Sequence, residues 1–469
     1  MARCCKRYLL AMALACTLLA PASSQYWEEA GLPAYTPAPS LVYTDTLHDW
    51  LLAAGQTPIF VDPNYGSCLG LFRYNGLDWD TLGLFGNKVN TAVVYNDTLI
   101  VGGGFEYMQD TAIAHIAYYA EGGWHPYGTF GDQWGSGTIT RLRVIDGVLY
   151  AVGIFQNADG QLSNGLAKRV GGHWEPMPGW PTIDFTGDPW LQDIIRFQGK
   201  LVVGGGFSIV GTNTRDMLQF DGTSWEAVCN GCLQGGLDAV GGLAEYQGEL
   251  YVGGIFYYAS GNAGQGIMRW DGEDWNSVGP VGDGIQLNDN SDAYSPDLSW
   301  MKVRDGLLYI GGSFRSVGHV PTPAGICTWD GAEFCVLEGE PFSIYYAPFD
   351  FYHDTLYGGT SEGLDDPAMR GVIRYLGELC ANTTGVEEET ATAPGLQVTW
   401  SSPGELTLLG LTDGPHVLKV YDAQGRLVLE QAVRSSAGRS EAVPLRDMGT
   451  ALYVVVVDNE RTGRLMPIR

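Results

Sequence analysis

The sequence predicts an all-β protein in which a β-propeller of seven blades is followed by a small Ig-like β-sandwich. Three observations predict this fold class. A phrase of the form Leu-x-Val-Gly-Gly-x-Phe recurs along the chain, a tight-turn pair precedes most copies, and a second hairpin phrase follows them. Self-similarity with a period of about fifty residues is typical of a ring or solenoid of supersecondary units.

The recurring phrase sets the number of units. Full copies stand at Leu99–Phe105, Leu201–Phe207, Leu250–Phe256 and Leu308–Phe314, and weaker copies stand elsewhere. The leucines that begin the copies are Leu51, Leu99, Leu149, Leu201, Leu250, Leu308 and Leu356. Seven anchors therefore predict seven units.

Turn residues divide each unit into two hairpins. The pairs before the leucines are Asn96-Asp97, Asp146-Gly147, Gln198-Gly199, Gln247-Gly248 and Asp305-Gly306, types that supply the positive φ of a two-residue turn. The second hairpin reads Arg-Trp-Asp-Gly-x-x-Trp in its best copy, Arg269–Trp275. The aromatic residues that end the phrase are Trp79, Trp124, Trp174, Trp225, Trp275 and Phe334, with Cys380 in the last unit.

Four short strands per unit form a twisted sheet that cannot bury both of its faces alone. Radial packing lets each sheet cover its neighbour, with Gly-Gly where backbones approach closely and the aromatic residue as the apolar contact. A propeller is therefore predicted over residues 41–380. Because the first unit matches the repeat least well, the alternative is six blades with the N-terminal piece as a closing strand.

The N-terminus predicts export. Arg3, Lys6 and Arg7 precede the apolar run Tyr8–Ala20, and small residues follow, so residues 1–24 are predicted to be a secretory signal peptide and residues 25–40 an extension. The run is short for a bilayer and nothing later approaches it, so no transmembrane segment is expected. A net charge of -27 opposes binding to nucleic acid.

Six cysteines follow residue 24, and an even number in an exported chain favours disulfides. Cys327 and Cys335 bracket the turn at Asp330-Gly331, and Cys229 and Cys232 bracket a turn between units, so each pair is predicted to form a bond. Cys68 and Cys380 become neighbours only if the ring closes. They are predicted to form a disulfide across the closure, with two free buried thiols as the alternative.

The composition changes after Cys380. Residues 381–395 are mostly small or acidic and include no large apolar side chain. This composition is typical of a linker. Residues 396–469 contain alternating segments that predict a small β-sandwich. These segments are Leu406–Leu409, Val417–Tyr421, Leu427–Glu430, Ala442–Leu445 and Leu452–Val457.

Several residues of this tail carry a family resemblance. Val420–Val428 is followed by Leu445 and Gly449, then by Ala451–Val456 and a basic end with Arg461, Arg464 and Arg469. The tail resembles the type A C-terminal sorting domain of the type IX secretion system. The resemblance implies a member of the Bacteroidota, the type IX secretion machinery as a partner, and removal of the tail during export. The expected location is the outer cell surface or the medium.

The repeats resemble the secreted Kelch-like propeller proteins that often carry this tail. The resemblance implies the fold and says little about a ligand, because a propeller hosts many functions. No catalytic pattern was found: the seven histidines lack metal-ligand spacing, no nucleophile elbow occurs, and the Gly-rich phrases open no helix. No catalytic residue and no organic cofactor are therefore predicted.

Two sets of residues support sharper hypotheses. The enlarged spacing around Gly279–Pro296 carries acidic oxygen ligands that suit Ca²⁺, and Asp289, Asp292 and Asp297 are the candidates, with a solvated acidic surface as the alternative. Aromatic residues in loops between units predict a glycan or peptide platform, with simple packing as the alternative. The candidates are Trp134, Trp180, Trp190, Tyr258 and Tyr294, together with Tyr107, Tyr257 and Tyr345.

These observations predict a secreted or surface protein that binds or adheres to an extracellular glycan or protein. The alternative is an extracellular hydrolase that uses carboxylates in the central pocket on glycans or peptides. A purely structural extracellular protein is the third class.

Overall fold

The computed structural model describes most of the chain. It divides the chain into two compact units, residues 1–384 and residues 385–469. The predicted signal peptide, residues 1–24, and the predicted linker, residues 381–395, lie outside the described residues. The described residues are 26–31, 39–55, 60–62, 66–108, 111–132, 135–184, 189–212, 215–228, 239–256, 261–279, 285–286, 297–314, 316–317, 320–322, 325–337, 348–360, 371–380, 397–402, 405–409, 414–421, 427–436, 439–440, 443–444, 453–457 and 461–465.

The described residues form strands and no helix, so the all-β prediction is confirmed. In the first unit these strands build antiparallel four-stranded sheets, most of them from two successive hairpins, an architecture of the β-propeller type. We number the sheets from 1 to 7 in chain order and give the strands of each from the inner to the outer edge.

Sheet 1 contains Leu41–Asp45, Trp50–Ala54, Gly66–Tyr74 and Trp79–Phe85. Sheet 2 contains Val89–Val94, Leu99–Gly103, Ile116–Ala120 and Gly123–Pro126. Sheet 3 contains Thr138–Ile145, Val148–Ile154, Leu166–Val170 and His173–Pro176. Sheet 4 contains Trp190–Phe197, Lys200–Ser208, Arg215–Phe220 and Trp225–Ala227.

Sheet 5 contains Ala239–Tyr246, Glu249–Ile255, Ile267–Trp270 and Trp275–Ser277. Sheet 6 contains Asp297–Arg304, Leu307–Ser313, Ile326–Trp329 and Phe334–Val336. Sheet 7 contains Phe349–Tyr352, Thr355–Thr360, Gly371–Tyr375 and, at its outer edge, Trp27–Glu29 from the N-terminal region.

Short strands decorate these sheets. Phe60–Asp62 pairs with the third strand of sheet 1, and Tyr107–Met108 and Thr111–Ala112 extend that sheet from its fourth strand. One three-stranded sheet contains Phe130–Gly131, Asn157–Ala158 and Gln161–Leu162. Another contains Ile285–Gln286, Ser316–Val317 and Val320–Pro321.

The predicted tight turns are confirmed by the backbone. Asn96 and Asp97 have φ of 48° and 54°, and Asp146 and Gly147 have φ of 50° and 75°. Two successive positive φ values define the hairpin turn whose twist matches that of the flanking strands. The local sequence therefore sets the inner hairpin of these sheets.

The Asp of the second hairpin phrase has a local structural role. Asp221 accepts hydrogen bonds from the backbone N–H groups of Thr223 and Ser224, at 2.7 and 2.8 Å. Asp271 makes the same pair of bonds with Glu273 and Asp274. A side chain that satisfies the backbone two and three residues further on stabilises the turn and explains the recurrence of this residue type.

The leucine of the repeat, a residue of the third strand and the recurring aromatic residue lie side by side on neighbouring strands. In sheet 4, Phe220 lies opposite both Leu201 and Trp225. In sheet 7 the outer member of this row is Trp27, which lies opposite Tyr375 and is fully buried. The expectation that Cys380 takes the aromatic position of the last unit is therefore wrong, because the N-terminal strand brings a tryptophan there.

The recurring indoles also join neighbouring sheets. Trp124 donates from Nε1 to the carbonyl oxygen of Leu82 at 3.0 Å, so sheet 2 is bonded to the outer strand of sheet 1. Trp79 of sheet 1 makes the corresponding bond to Ala30, next to the N-terminal strand, at 2.7 Å. Residues 27–30 therefore occupy the place of an outer strand between sheets 7 and 1. The predicted N-terminal extension contributes a strand to the fold.

Apolar packing and side-chain bonds connect sheets 6, 7 and 1. Leu307 and Tyr309 share a buried cluster with Phe349 and Phe351. On the other side, Thr44 donates from its backbone N–H to Oδ2 of Asp350 at 2.9 Å, across more than three hundred residues of sequence. Sheet 7 thus contacts both the sheet that precedes it in the chain and the first one.

The disulfide pairing differs from the prediction. Cys335 is bonded to Cys380, with their Cα atoms 6.1 Å apart, and Cys327 is a free buried thiol. Cys335 lies opposite Thr328, the neighbour of Cys327. Successive strand residues point to opposite faces, so Cys327 and Cys335 face away from each other.

The other two predicted bonds have different outcomes. The predicted bond between Cys68 and Cys380 is wrong, because the Cys380 sulfur is already bonded to Cys335. Cys68 lies in the third strand of sheet 1, opposite Phe60. Cys229 and Cys232 lie outside the described residues.

The second unit is also built of strands. Its described strands pair into one sheet, and Gln397–Ser402 at one end of the strand order contacts Arg461–Leu465 at the other. Leu418, Val420 and Val433 are almost fully buried. The remaining strands are Glu405–Leu409, Gly414–Tyr421, Leu427–Ser436, Arg439–Ser440, Val443–Pro444 and Tyr453–Val457.

Candidate functional site: the central cavity

The inner strands of several sheets share one irregularity. In sheets 2 to 6 the pairing register shifts by one residue near the start of the inner strand. The bulged residues are Asn90, Thr140, Gln192, Gly241 and Ser299. A β-bulge redirects side chains, and here it turns equivalent positions of successive sheets toward one place.

A cavity of about 250 Å³ lies where these positions converge. Four of the bulged residues line it, and four further residues complete the lining. The full set is Ser40, Lys88, Asn90, Thr140, Arg141, Gln192, Ser299 and Trp300. The walls therefore consist of hydroxyl and amide groups, two cationic side chains and one indole, and sheets 1 to 4 and 6 all contribute.

Hydrogen bonds between sheets hold the polar part of the wall. Ser40 donates from Oγ to the carbonyl oxygen of Val89 at 2.7 Å, and Asn90 donates from Nδ2 to that of Ile139 at 3.0 Å. Thr140 continues the series with a bond to the carbonyl oxygen of Leu191. Each donor lies about one repeat before its acceptor. The same side chains therefore line the cavity and join successive sheets.

A charge cluster lies at the wall, with Asp193 and Arg141 buried and Arg143 partly exposed. Arg143 donates from Nε and Nη2 to the two carboxylate oxygens of Asp193, at 2.9 and 2.7 Å. The Nε atom of Arg141 lies 3.8 Å from the nearer of those oxygens and makes no hydrogen bond. Asp193 is 1% exposed and Arg141 is 8% exposed. One carboxylate therefore faces two guanidinium groups.

Arg141 is also held from the side of sheet 6. Its Nη2 donates to the carbonyl oxygen of Ser299 at 2.9 Å, and its Cζ lies 4.4 Å from the centre of the Trp300 ring. A cation above an indole face is attracted by the ring quadrupole. Contacts from sheets 4 and 6 thus orient the guanidinium beside the cavity.

The pKa values in the cluster follow from burial and from the neighbouring charges. Burial lowers the pKa of Arg141 to about 10, although Asp193 acts in the opposite direction. Burial alone would raise the pKa of Asp193, but Arg143 and Arg141 outweigh it and hold that pKa below its ordinary value. All three groups are therefore charged at neutral pH, and the cluster has a net charge of +1.

The predicted calcium site is only partly within the described residues. Asp289 and Asp292 lie outside them, and Asp297 begins the inner strand of sheet 6. In the part of the chain that the structure describes, no group of three or more His, Cys, Asp or Glu side chains could hold a metal ion.

The described members of the predicted aromatic platform are used in packing. Trp180 packs in the core between sheets 3 and 4, donates from Nε1 to the carbonyl oxygen of Asn164, and has its ring 4.5 Å from that of Trp225. A Cβ atom added to Gly206 would lie 2.7 Å from the Trp190 ring, so that indole covers backbone. Trp180 and Trp190 therefore take part in packing, and their role in ligand binding stays a prediction.

The remaining platform candidates give no further support. Tyr107 pairs with Ala112 in the short hairpin that extends sheet 1. Trp134, Tyr257, Tyr258, Tyr294 and Tyr345 lie outside the described residues.

Sequence reasoning missed the cavity residues, although one signal was present. Arg141, Arg143 and Asp193 stand among buried apolar residues in the inner strands Thr138–Ile145 and Trp190–Phe197. Charged residues are rarely buried unless they are paired. Unlike charges at nearly equivalent positions of adjacent repeats could therefore have indicated a buried pair.

Comparisons with known proteins add distant structural similarities. No family model matches the chain, and no curated protein matches it. A solved structure described as YjhT is 15% identical with a TM-score of 0.36, covering 58% of this chain and 91% of its own. A polysaccharide lyase described as the ulvan lyase of family PL25 is 13% identical with a TM-score of 0.33, covering 74% of this chain and 96% of its own.

The same lyase bound to a -[GlcA(1-4)Rha3S]- saccharide has a TM-score of 0.34 at 13% identity, covering 74% of this chain and 94% of its own. Scores this low support no statement on the ligand or activity of the present protein. Among the described residues, no helix has the length and apolar character needed to cross a membrane.

Proposed function

We propose that this protein is an exported seven-bladed β-propeller that binds an extracellular ligand in its central cavity. The observation that carries the proposal is the convergence of side chains from five sheets on one polar cavity. A concave site with a few convergent polar groups is the usual form of a ligand site. The order of the sheets, with the N-terminal strand as the outer edge of the last, supports the blade number.

The side chains of the cavity favour binding over hydrolysis. A hydrolase that acts through carboxylates needs at least one Asp or Glu facing the substrate. None of the described residues that line the cavity is acidic. Asp193, the carboxylate beside the lining residue Arg141, has both oxygens engaged by Arg143, so it is not available as a general acid or base.

The proposal includes the route of export. The tail resembles a type IX sorting domain, and its described strands overlap the segments predicted from the sequence, such as Gly414–Tyr421 and Tyr453–Val457. We assign residues 396–469 as an Ig-like sorting domain that is removed at the cell surface. The localisation is then the outer surface or the medium, where the protein would act in adhesion.

A glycan array tests the binding function. The purified full chain is compared with Gln192→Trp, which fills the cavity, and with Gln161→Trp, which places the same side chain on an exposed strand. We expect the wild type and Gln161→Trp to bind the same glycans, and we expect Gln192→Trp not to bind them. Equal binding by Gln192→Trp would place the site elsewhere, and no signal from any protein would contradict glycan binding.

A further inference from the structure

The charge of the cavity is opposite to that of the protein. The chain carries 53 acidic against 26 basic residues, yet the cavity wall contains Lys88 and Arg141 and no carboxylate among its described residues. Lys88 is exposed, and Arg141 is buried beside a carboxylate that it shares with Arg143. The cavity is therefore a local positive site in a strongly anionic molecule.

An unbalanced buried cation is costly. Taking a charge out of water destabilises a protein unless an opposite charge and hydrogen bonds compensate it. Asp193 makes its hydrogen-bonded pair with Arg143, whose side chain is partly exposed to water. The buried Arg141 is left with Asp193 at 3.8 Å, the carbonyl oxygen of Ser299 and the weaker attraction of the Trp300 indole. An anion in the cavity would complete the compensation, with Arg141 and Lys88 as its partners.

The neutral part of the wall indicates what else the ligand carries. Asn90 and Thr140 already donate hydrogen bonds to backbone carbonyl groups, and so does Ser40. Their oxygen atoms keep acceptor capacity, because an amide oxygen and a hydroxyl each accept through lone pairs. Such a wall is complementary to a ligand with several O–H groups.

We propose that the central cavity binds a small polyhydroxylated carboxylate, that is, a sugar acid, with the carboxylate held by Arg141 and Lys88 and the hydroxyl groups by the polar wall. This inference rests on the proposed binding function and specifies its ligand class. A cavity of about 250 Å³ limits the bound part to roughly one sugar unit.

Isothermal titration calorimetry with D-glucuronate and D-glucose tests the proposal on the full chain. The two sugars differ in having a carboxylate or a CH₂OH group at one carbon. We expect D-glucuronate to bind at least about tenfold more tightly, because hydrogen bonds to charged groups are the stronger ones. Sodium acetate at equal concentration shows whether a carboxylate without hydroxyl groups is sufficient for binding. If acetate binds as tightly as D-glucuronate, the assignment of a polyhydroxylated ligand would be contradicted.

Variants assign the carboxylate partner. Lys88→Met removes an exposed cation from the cavity rim, and Lys168→Met is the matched control on the third strand of sheet 3. We expect Lys88→Met to weaken the binding of D-glucuronate about threefold to tenfold and Lys168→Met to leave that binding unchanged. Arg141→Met is expected to abolish the preference for D-glucuronate, with its fold checked by circular dichroism.

The outcomes separate the two proposals. Equal binding of both sugars, lost in Gln192→Trp, would overturn the sugar-acid assignment and leave the cavity as a neutral-ligand site. If neither Lys88→Met nor Arg141→Met changes the binding of D-glucuronate, the role of the two cations would be overturned. Absence of heat from both sugars at millimolar concentration would overturn the assignment, while the glycan array would still decide the binding function.

Discussion

Trp27 lies directly opposite Tyr375 with their ring centres 4.7 Å apart, so a residue near the N-terminus completes the last sheet of the first unit. The Trp27 side chain is fully buried in the cluster that also holds Leu356 and Ile373. The strand Trp27–Glu29 therefore gives sheet 7 its fourth strand, and a segment from the other end of the chain covers the edge that Gly371–Tyr375 would otherwise expose.

Trp27→Ala should destabilise the protein by about 3–5 kcal/mol, because it removes a large buried side chain and leaves a cavity. Glu29→Ala on the same strand is the control, since Glu29 is exposed and should change stability by less than about 0.5 kcal/mol. Urea unfolding measures both. Equal midpoints for the two variants would show that the N-terminal strand is not needed for closure.

The disulfide between Cys335 and Cys380 should stabilise the first unit by about 4 kcal/mol, the chain-entropy value for a loop of 45 residues. Cys335→Ser should lose most of that free energy of unfolding. The double variant with Cys380→Ser should lose no more, because both changes break the same bond. Additive losses would mean that the two cysteines act separately.

Cys327 should be unreactive in the folded protein, because burial raises the pKa of its thiol well above the ordinary value and covers it from reagents. Iodoacetamide at pH 8 should therefore label Cys327 only after unfolding. Peptide mapping of the unreduced protein shows whether Cys327 is labelled and whether it occurs in a disulfide-linked peptide. Recovery of Cys327 in a linked peptide would contradict the pairing in the structure.

Gly165→Ala should be markedly destabilising. Gly165 has φ of +86°, and an added Cβ would lie 2.8 Å from the carbonyl oxygen of Gly153. Gly171→Ala is the matched control, because Gly171 also has positive φ but has open space around it. The control should lose about 1 kcal/mol and Gly165→Ala at least about 1 kcal/mol more. Equal losses in thermal unfolding would rule out the close backbone approach.

The stability contributed by Asp193 should depend on pH. Its folded-state pKa is depressed, so the contribution is fully present above the unfolded value of about 3.9 and is lost as the pH falls below it. Asp193→Asn should cost about 3–5 kcal/mol at pH 7, because it leaves two arginines without their anion. The difference from the wild type should shrink below about pH 4. Asp97→Asn in an exposed turn is the control, and a difference independent of pH would contradict the ionic role.

Deletion of residues 396–469 should abolish export of the propeller, as the resemblance of the tail to a sorting domain implies. Fractionation of cells that express the full and the truncated chains measures the effect. The truncated chain should accumulate inside the cell envelope. Undiminished release into the medium would contradict the assignment of the tail.

The sequence by itself determined the all-β class and the hairpins, because these depend on local chemistry. The turn pair Gln247-Gly248 adopts positive φ at both positions, as its residue types require. The leucine Leu250 is fully buried opposite Trp270, as the alternation of the strand predicts. Such features need only neighbours within one hairpin.

Only the tertiary structure decided which distant residues meet. The register of one hairpin turned Cys335 away from Cys327 and toward Cys380, and a strand from outside the repeats placed Trp27 in the last sheet. Arg141 reaches the carbonyl oxygen of Ser299 across 158 residues. These contacts depend on how the sheets are arranged around the cavity, and no local pattern specifies which of several equivalent repeats become neighbours at its centre.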